Sequence, residues 1–186
     1  MKILSMMITG HMIAGLLMAT SPASAQQVPA QPHEAAPPPG VCESDDRFNQ
    51  FDFWLGTWRV TSRADGSFQG TNRITKAQKN CLIHEHCTSK AGGTGSSVNY
   101  FNPNNGKWRQ VWVSNGYSLD ITGNYMDDAM VLTGQIDYYK TGKSFPFKGT
   151  WSREKDGTVR QLFHQHDPET DRWVVWFDGS YSRVKD

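Results

Sequence analysis

The sequence predicts an all-β domain closed into an antiparallel up-and-down β-barrel of about ten strands. Three observations carry that prediction. Turn signals recur at intervals of roughly 8 to 15 residues, the cadence of a sandwich or barrel. The runs between them are short, alternate with period two and draw on Val, Ile, Thr and aromatic residues. Apolar residues at helical spacing are not sustained for three turns, Asp46 to Leu55 being the nearest approach. A meander without a long crossover hides its edges best by closing on itself.

In chain order, residues 1–25 read as a secretory signal peptide: Lys2, an apolar run from Ile3 to Ala19, and the small-residue site Ala23-Ser24-Ala25 before Gln26. Residues 26–46 hold five of the nine prolines and no aromatic, which predicts an extended linker. The barrel domain is expected over 47–186, with every aromatic between Phe48 and Tyr181. Nine turn signals delimit its ten strands. The first run ends at Asp65-Gly66, the second at Lys79-Asn80, and the third, which holds Cys81 to Cys87, at Gly92-Gly93-Thr94-Gly95. Asn104-Asn105-Gly106 ends the fourth and Asn115-Gly116 the fifth, which holds Trp108 to Ser114. Asp127-Asp128, Thr141-Gly142, Asp156-Gly157 and Asp167-Pro168 end the next four, and the last runs through Trp173 to Tyr181. Asn-Gly and Asp-Gly accept the positive φ of tight hairpin turns, so consecutive strands should pair antiparallel.

Charge removes several function classes. The chain carries 19 Lys+Arg against 18 Asp+Glu, and loss of the first 25 residues, which include Lys2, leaves 18 of each. Nothing in that balance attracts nucleic acid or an anionic membrane. No second apolar run resembles an integral membrane span, so the mature protein is expected to be periplasmic or secreted. No G-x-S-x-G, H-E-x-x-H or phosphate loop is present, and Gly92-Gly93-Thr94-Gly95 joins strands without opening a helix. No catalytic residue is assigned. The 22 aromatics, in a chain of mean hydropathy −0.60, are the unusual feature.

Period two sorts the side chains into faces. Trp108, Gln110, Trp112 and Ser114 share one, as do Met130, Leu132, Gly134, Ile136 and Tyr138. On the last strand Trp173, Val175, Phe177, Gly179 and Tyr181 align, with Val174, Trp176 and Asp178 behind them. Bulky aromatics mixed with Gln, Ser and Gly suit a cavity for a small lipophilic ligand; the competing reading is a filled structural core. The expected ligand-binding residues are Glu85, Trp108, Gln110, Trp112, Arg160 and Phe163. A buried Glu85 would have a raised pKa, with Arg160 as its counter-charge. Arg160 and Phe163 have opposite parity and share the lumen only across a bulge, which makes Gln161 an alternative.

Cysteine and histidine suggest further chemistry. Cys81 and Cys87 share a face about 20 Å apart along a straight strand and cannot bond to each other, so Cys42 takes one of them. His84 with His86, and His164 with His166, each place two imidazoles on one face about 7 Å apart, a spacing that zinc accepts. The third and ninth strands are not neighbours, so the pairs meet only by facing inward across the lumen. No metal is assigned.

The segment Phe51-Asp52-Phe53-Trp54-Leu55-Gly56-Thr57-Trp58-Arg59-Val60 resembles the opening of the DUF1579 family of exported bacterial proteins of unknown function. Gly93 to Tyr100, Gly106 to Val113 and Phe177 to Arg183 fit the same pattern, so the resemblance covers nearly the whole domain. It implies a lipocalin- or calycin-like barrel, and Gly56-Thr57-Trp58 matches the short Gly-x-Trp signature of lipocalins. The likeness implies that Trp58 closes one barrel end against Arg183, an indole beneath a guanidinium. It also implies the disulfide Cys42–Cys81, leaving Cys87 free. By likeness to fatty-acid-binding barrels an inward Arg160 would hold a ligand carboxylate. By likeness to nitrobindin-like barrels His164 or His166 would ligate haem.

Overall fold

The computed structural model describes residues 40–184. The signal-peptide segment and residues 26–39 of the expected linker lie outside them. Val41–Ser44 forms one α-helical turn, α1, in which the Glu43 carboxylate accepts from the Gly40 amide at 2.6 Å. Two 3-10 turns follow, Asp46–Asn49 and Asp52–Trp54. The end of the span read as linker is thus built into the domain: Cys42 is buried and bonded to Cys81, the expected partner, 39 residues away.

Ten strands form the rest: β1 (Gly56–Ser62), β2 (Phe68–Ala77), β3 (Leu82–Ser89), β4 (Thr94–Asn102), β5 (Lys107–Ser114), β6 (Tyr117–Met126), β7 (Ala129–Tyr138), β8 (Lys143–Arg153), β9 (Val159–Asp167) and β10 (Arg172–Arg183). Each pairs antiparallel with its sequence neighbours, and β10 closes on β1 with Trp58 opposite Arg183. The fold is the closed ten-strand barrel expected. At the β6–β7 hairpin Asp127 and Asp128 both take positive φ, the geometry that follows the right-handed strand twist.

The 3-10 turns fill one end of the lumen. They carry Phe51 and Trp54 into the barrel, where neither retains any exposure. Phe51 stacks on Trp54 at 4.9 Å and meets Trp108 and Trp151 edge-on at 5.7 and 5.4 Å. Such pairs add about 0.5–1.5 kcal/mol each beyond the area they bury. The Trp58 indole Nε1 donates to the Trp54 carbonyl at 2.8 Å, and the Arg183 guanidinium lies 4.4 Å from the Trp58 ring. Gly56, at φ +135°, lets the chain turn from plug into β1; a Cβ there would strike Arg183 Nη1.

Alternation correctly sorts Trp108, Gln110 and Trp112, and the β7 series Met130, Leu132 and Ile136, onto the buried face. It fails on β10. The register shifts between Val175 and Phe177, so Trp176 and Phe177 both line the interior, while Trp173 and Val175 are exposed. The bulged Trp176 is held inside by its indole donating to Tyr138 Oη at 2.9 Å, which donates on to Gln165 Oε1 at 2.6 Å.

The disulfide fastens the plug to the β2–β3 turn across a loop for which chain entropy predicts a stabilisation of about 4 kcal/mol. Cys42→Ser/Cys81→Ser should therefore lower the unfolding free energy by about 2–4 kcal/mol in denaturant titrations. It should also increase hydrogen exchange through the plug before the strands.

Candidate functional site

The half of the lumen away from the plug is not filled. It holds a cavity of about 230 Å³ with a predominantly apolar lining. Six aromatic rings contribute: Trp112, Tyr117, Phe163, Trp176, Phe177 and Tyr181. They brace one another, with Trp112 on Tyr117 at 6.5 Å, Tyr117 edge-on to Trp176 at 5.3 Å, and Phe163 within 6.2 Å of both Trp176 and Phe177. Gly95 on β4 gives Trp112 its place, because a Cβ would occupy the position of the indole ring.

One wall is polar. Glu85 projects inward from β3 and is 3% exposed. Its Oε1 accepts from Asn72 Nδ2 at 2.6 Å, and its Oε2 from Ser97 Oγ, also at 2.6 Å. The Ser97 hydroxyl accepts from Asn99 Nδ2 at 2.8 Å, and Asn99 Oδ1 accepts from Gln110 Nε2 at 2.8 Å. Gln110, Asn99 and Ser97 form a one-way chain of donors ending on the carboxylate, and Asn72 approaches from the other side. Asn72 Nδ2 also reaches Tyr181 Oη at 3.4 Å. Asn72 Oδ1, Gln161 Oε1 and Trp112 Nε1 are buried without partners.

Register explains the convergence. Glu85 stands opposite Ser97 across β3–β4, and Asn99 opposite Gln110 across β4–β5. Opposite residues share a face at about 5 Å, so these polar side chains necessarily meet inside. Alternation in β4 misdirects the eye: polar Ser97 and Asn99 are buried while Val98 is exposed.

The cavity brings together Glu85, Gln110, Trp112 and Phe163 of the expected set, with Gln161 beside them. Trp108 is buried instead in the plug half, where its indole donates to Gln50 Oε1 at 3.1 Å. Arg160 is outside the barrel. Its guanidinium makes a bidentate pair with Asp178 at 2.9 and 2.8 Å, so it neither neutralises Glu85 nor reaches a ligand carboxylate. Parity decides the matter: Val159, Gln161 and Phe163 face inward on β9, and no bulge there turns Arg160 with them.

The histidines do not converge. His84 and His86 are exposed, opposite in parity to Glu85, and His86 Nδ1 lies 3.2 Å from Ser96 Oγ. His164 and His166 alternate with inward Phe163, and His166 Nε2 lies 3.1 Å from Asp171 Oδ1. The four imidazoles therefore make no shared zinc site, and neither His164 nor His166 is placed to ligate haem in the cavity. Among the described residues no group of three or more His, Cys, Asp or Glu is arranged to hold a metal.

The titratable lining groups are pushed toward neutrality. Burial raises Glu85 from 4.5 to about 7, against the opposing pull of the Ser97 and Asn72 hydrogen bonds. Burial, then the Glu85 charge, pushes the Cys87 thiol up to about 11, so it is not an activated nucleophile. Burial also raises Tyr117 and Tyr181. Comparison with protein-family models and with curated proteins finds no match for the chain.

Because the folded-state pKa of Glu85 lies above its unfolded value, the folded protein binds the extra proton between about pH 4.5 and 7. Its contribution favours folding at the acidic end of that window and is lost as pH rises through 7, a change of about 3 kcal/mol. Denaturant titrations at pH 5 and pH 8 should show this decline in the wild type, and Glu85→Gln should remove most of it.

Proposed function

We propose that the protein is an exported barrel, akin to the DUF1579 group, that binds or carries a small lipophilic molecule in the Glu85 cavity. The observation that carries this reading is the half-empty lumen: a plug closes one end, while six aromatic rings surround about 230 Å³ at the other. A barrel selected only for stability would gain by filling that volume. The size favours a compact molecule over a long acyl chain, since drug-sized ligands occupy pockets of about 300–1,000 Å³. Export is supported by the leader-like segment over 1–25 and by a disulfide suited to an oxidising compartment. No helix among the described residues is long and apolar enough to cross a membrane.

Cys87 lines the cavity and provides a place to block it. An uncharged hydrophobic dye such as N-phenyl-1-naphthylamine should bind saturably to the wild type, and native mass spectrometry should find a retained small molecule in protein recovered from its source. Cys87→Phe should weaken dye binding by about tenfold or more, about 1.4 kcal/mol, while leaving the far-ultraviolet dichroism unchanged. Dye binding that is absent, or indifferent to the substitution, refutes the reading.

A further inference from the structure

We propose that the cavity selects a small organic cation, a protonated amine carried on a compact apolar or aromatic body, with Glu85 as its counter-ion. This rests on the reading of the cavity as a ligand site. The charge inventory points to it. Among the lining residues Glu85 is the one carboxyl group, and there is no Lys, Arg or His. The remaining titratable side chains facing it are Cys87 on β3, Tyr117 on β6 and Tyr181 on β10, all of which lose a proton to become anions. Among the described residues no element lining the cavity supplies positive charge.

The hydrogen bonds around Glu85 are nevertheless arranged for the ionised form. Both carboxylate oxygens accept, from Asn72 Nδ2 and Ser97 Oγ. The Ser97 hydroxyl is itself oriented by accepting from Asn99, which directs its proton toward Glu85. Those oxygens retain lone pairs beyond the two bonds they accept. Burial opposes what the network favours, and an added cation resolves the conflict: the ammonium supplies the missing counter-charge where water is excluded. The walls suit the same guest, because indole, phenol and phenyl faces attract cations most strongly when the cation is desolvated. Two of the three unpartnered polar atoms on lining residues, Asn72 Oδ1 and Gln161 Oε1, are acceptors and require a donor. A ligand acid meets the opposite situation, since it would confront Glu85 with no cation nearby.

Three near-isosteric probes test the assignment by isothermal titration at pH 8: 2-phenylethylamine, 2-phenylethanol and phenylacetate. The amine should bind at least about tenfold more tightly than the alcohol, and phenylacetate weakest, as a charge-assisted hydrogen bond requires. Glu85→Gln should remove the amine's advantage over the alcohol. Should that variant misfold, the wild type alone decides the question. Amine binding at pH 6 should release close to one proton, measured in two buffers of different ionisation heat. Its affinity should fall about tenfold for each pH unit below about 7. An alcohol or acid that binds as well as the amine, or amine binding without proton release at pH 6, overturns the inference and leaves the cavity reading standing. If none of the three binds and the dye does not either, both fail.

Discussion

A barrel of ten strands is wider than its own side chains readily fill. Around eight strands give an interior that side chains can just occupy or that holds one small ligand, and the diameter grows with strand number. This protein meets that constraint in two ways within one lumen. At one end the chain before β1 folds back as two 3-10 turns and inserts Phe51 and Trp54 among Trp58, Trp108 and Trp151, all buried. At the other end no described residue is inserted, and the rings stand around open space. The abundance of aromatics follows: only large rigid side chains can bridge so wide an interior at modest entropic cost. An open cavity and a filled core, alternatives when read from sequence, occupy the two ends of one tube.

The plug makes the unfilled end consequential. With Trp54 accepting from Trp58 and Arg183 lying over Trp58, the barrel has a fixed floor. Glu85 stands above it on β3, braced from β2 by Asn72 and from β4 by Ser97. A carboxylate tied to two flanking strands cannot swing out to solvent without breaking bonds on both. Cations remain on the outer wall: Arg160 pairs with Asp178 and Arg109 with Asp120 at the surface. Exposed pairs of this kind contribute about 0–1 kcal/mol each and are screened by salt. The electrostatics of the interior are therefore set by one acid.

Features that depend on local chemistry were legible in the sequence. Turn residues marked all nine hairpins, because Gly, Asn and Asp tolerate the required φ independently of the tertiary fold. Alternation grouped Trp108, Gln110 and Trp112 on one face and the β7 apolar series on another, and the structure shows both faces to be the inward ones. Where the answer lay in pairing between strands, single-strand reading failed. Arg160 resembled a counter-charge for Glu85 until the parity of β9 placed it outside with Asp178. The β10 bulge shifted Trp176 inward against its period, where its bond to Tyr138 and its packing on Tyr117, Phe147 and Phe163 hold it. Asn72, Ser97 and Asn99 escaped notice because polar residues alternating with Val98 look solvent-facing. The β3–β4 hairpin is centred on Ala91, and it is this cross-strand register, absent from either strand read alone, that sets Ser97 opposite Glu85.

The energetics of Glu85 bear on why such a residue occupies this position. A buried ionised group without a counter-charge is among the least favourable features a core can contain, and apolar replacement of buried charges often stabilises a fold. The surrounding polar groups do not remove that cost. They confine the carboxylate to one geometry and supply hydrogen bonds, yet burial still raises its pKa to about 7. A site designed only to tolerate a neutral acid would need an acceptor for the carboxyl proton, whereas here each oxygen meets a donor. The arrangement thus favours ionisation by hydrogen bonding while the aromatic walls oppose it by desolvation. Such a frustrated group responds to whatever enters the cavity: a cation lowers its pKa, a neutral apolar guest raises it further by displacing water, and an anion is repelled. The selectivity of the cavity is inseparable from the instability that Glu85 introduces.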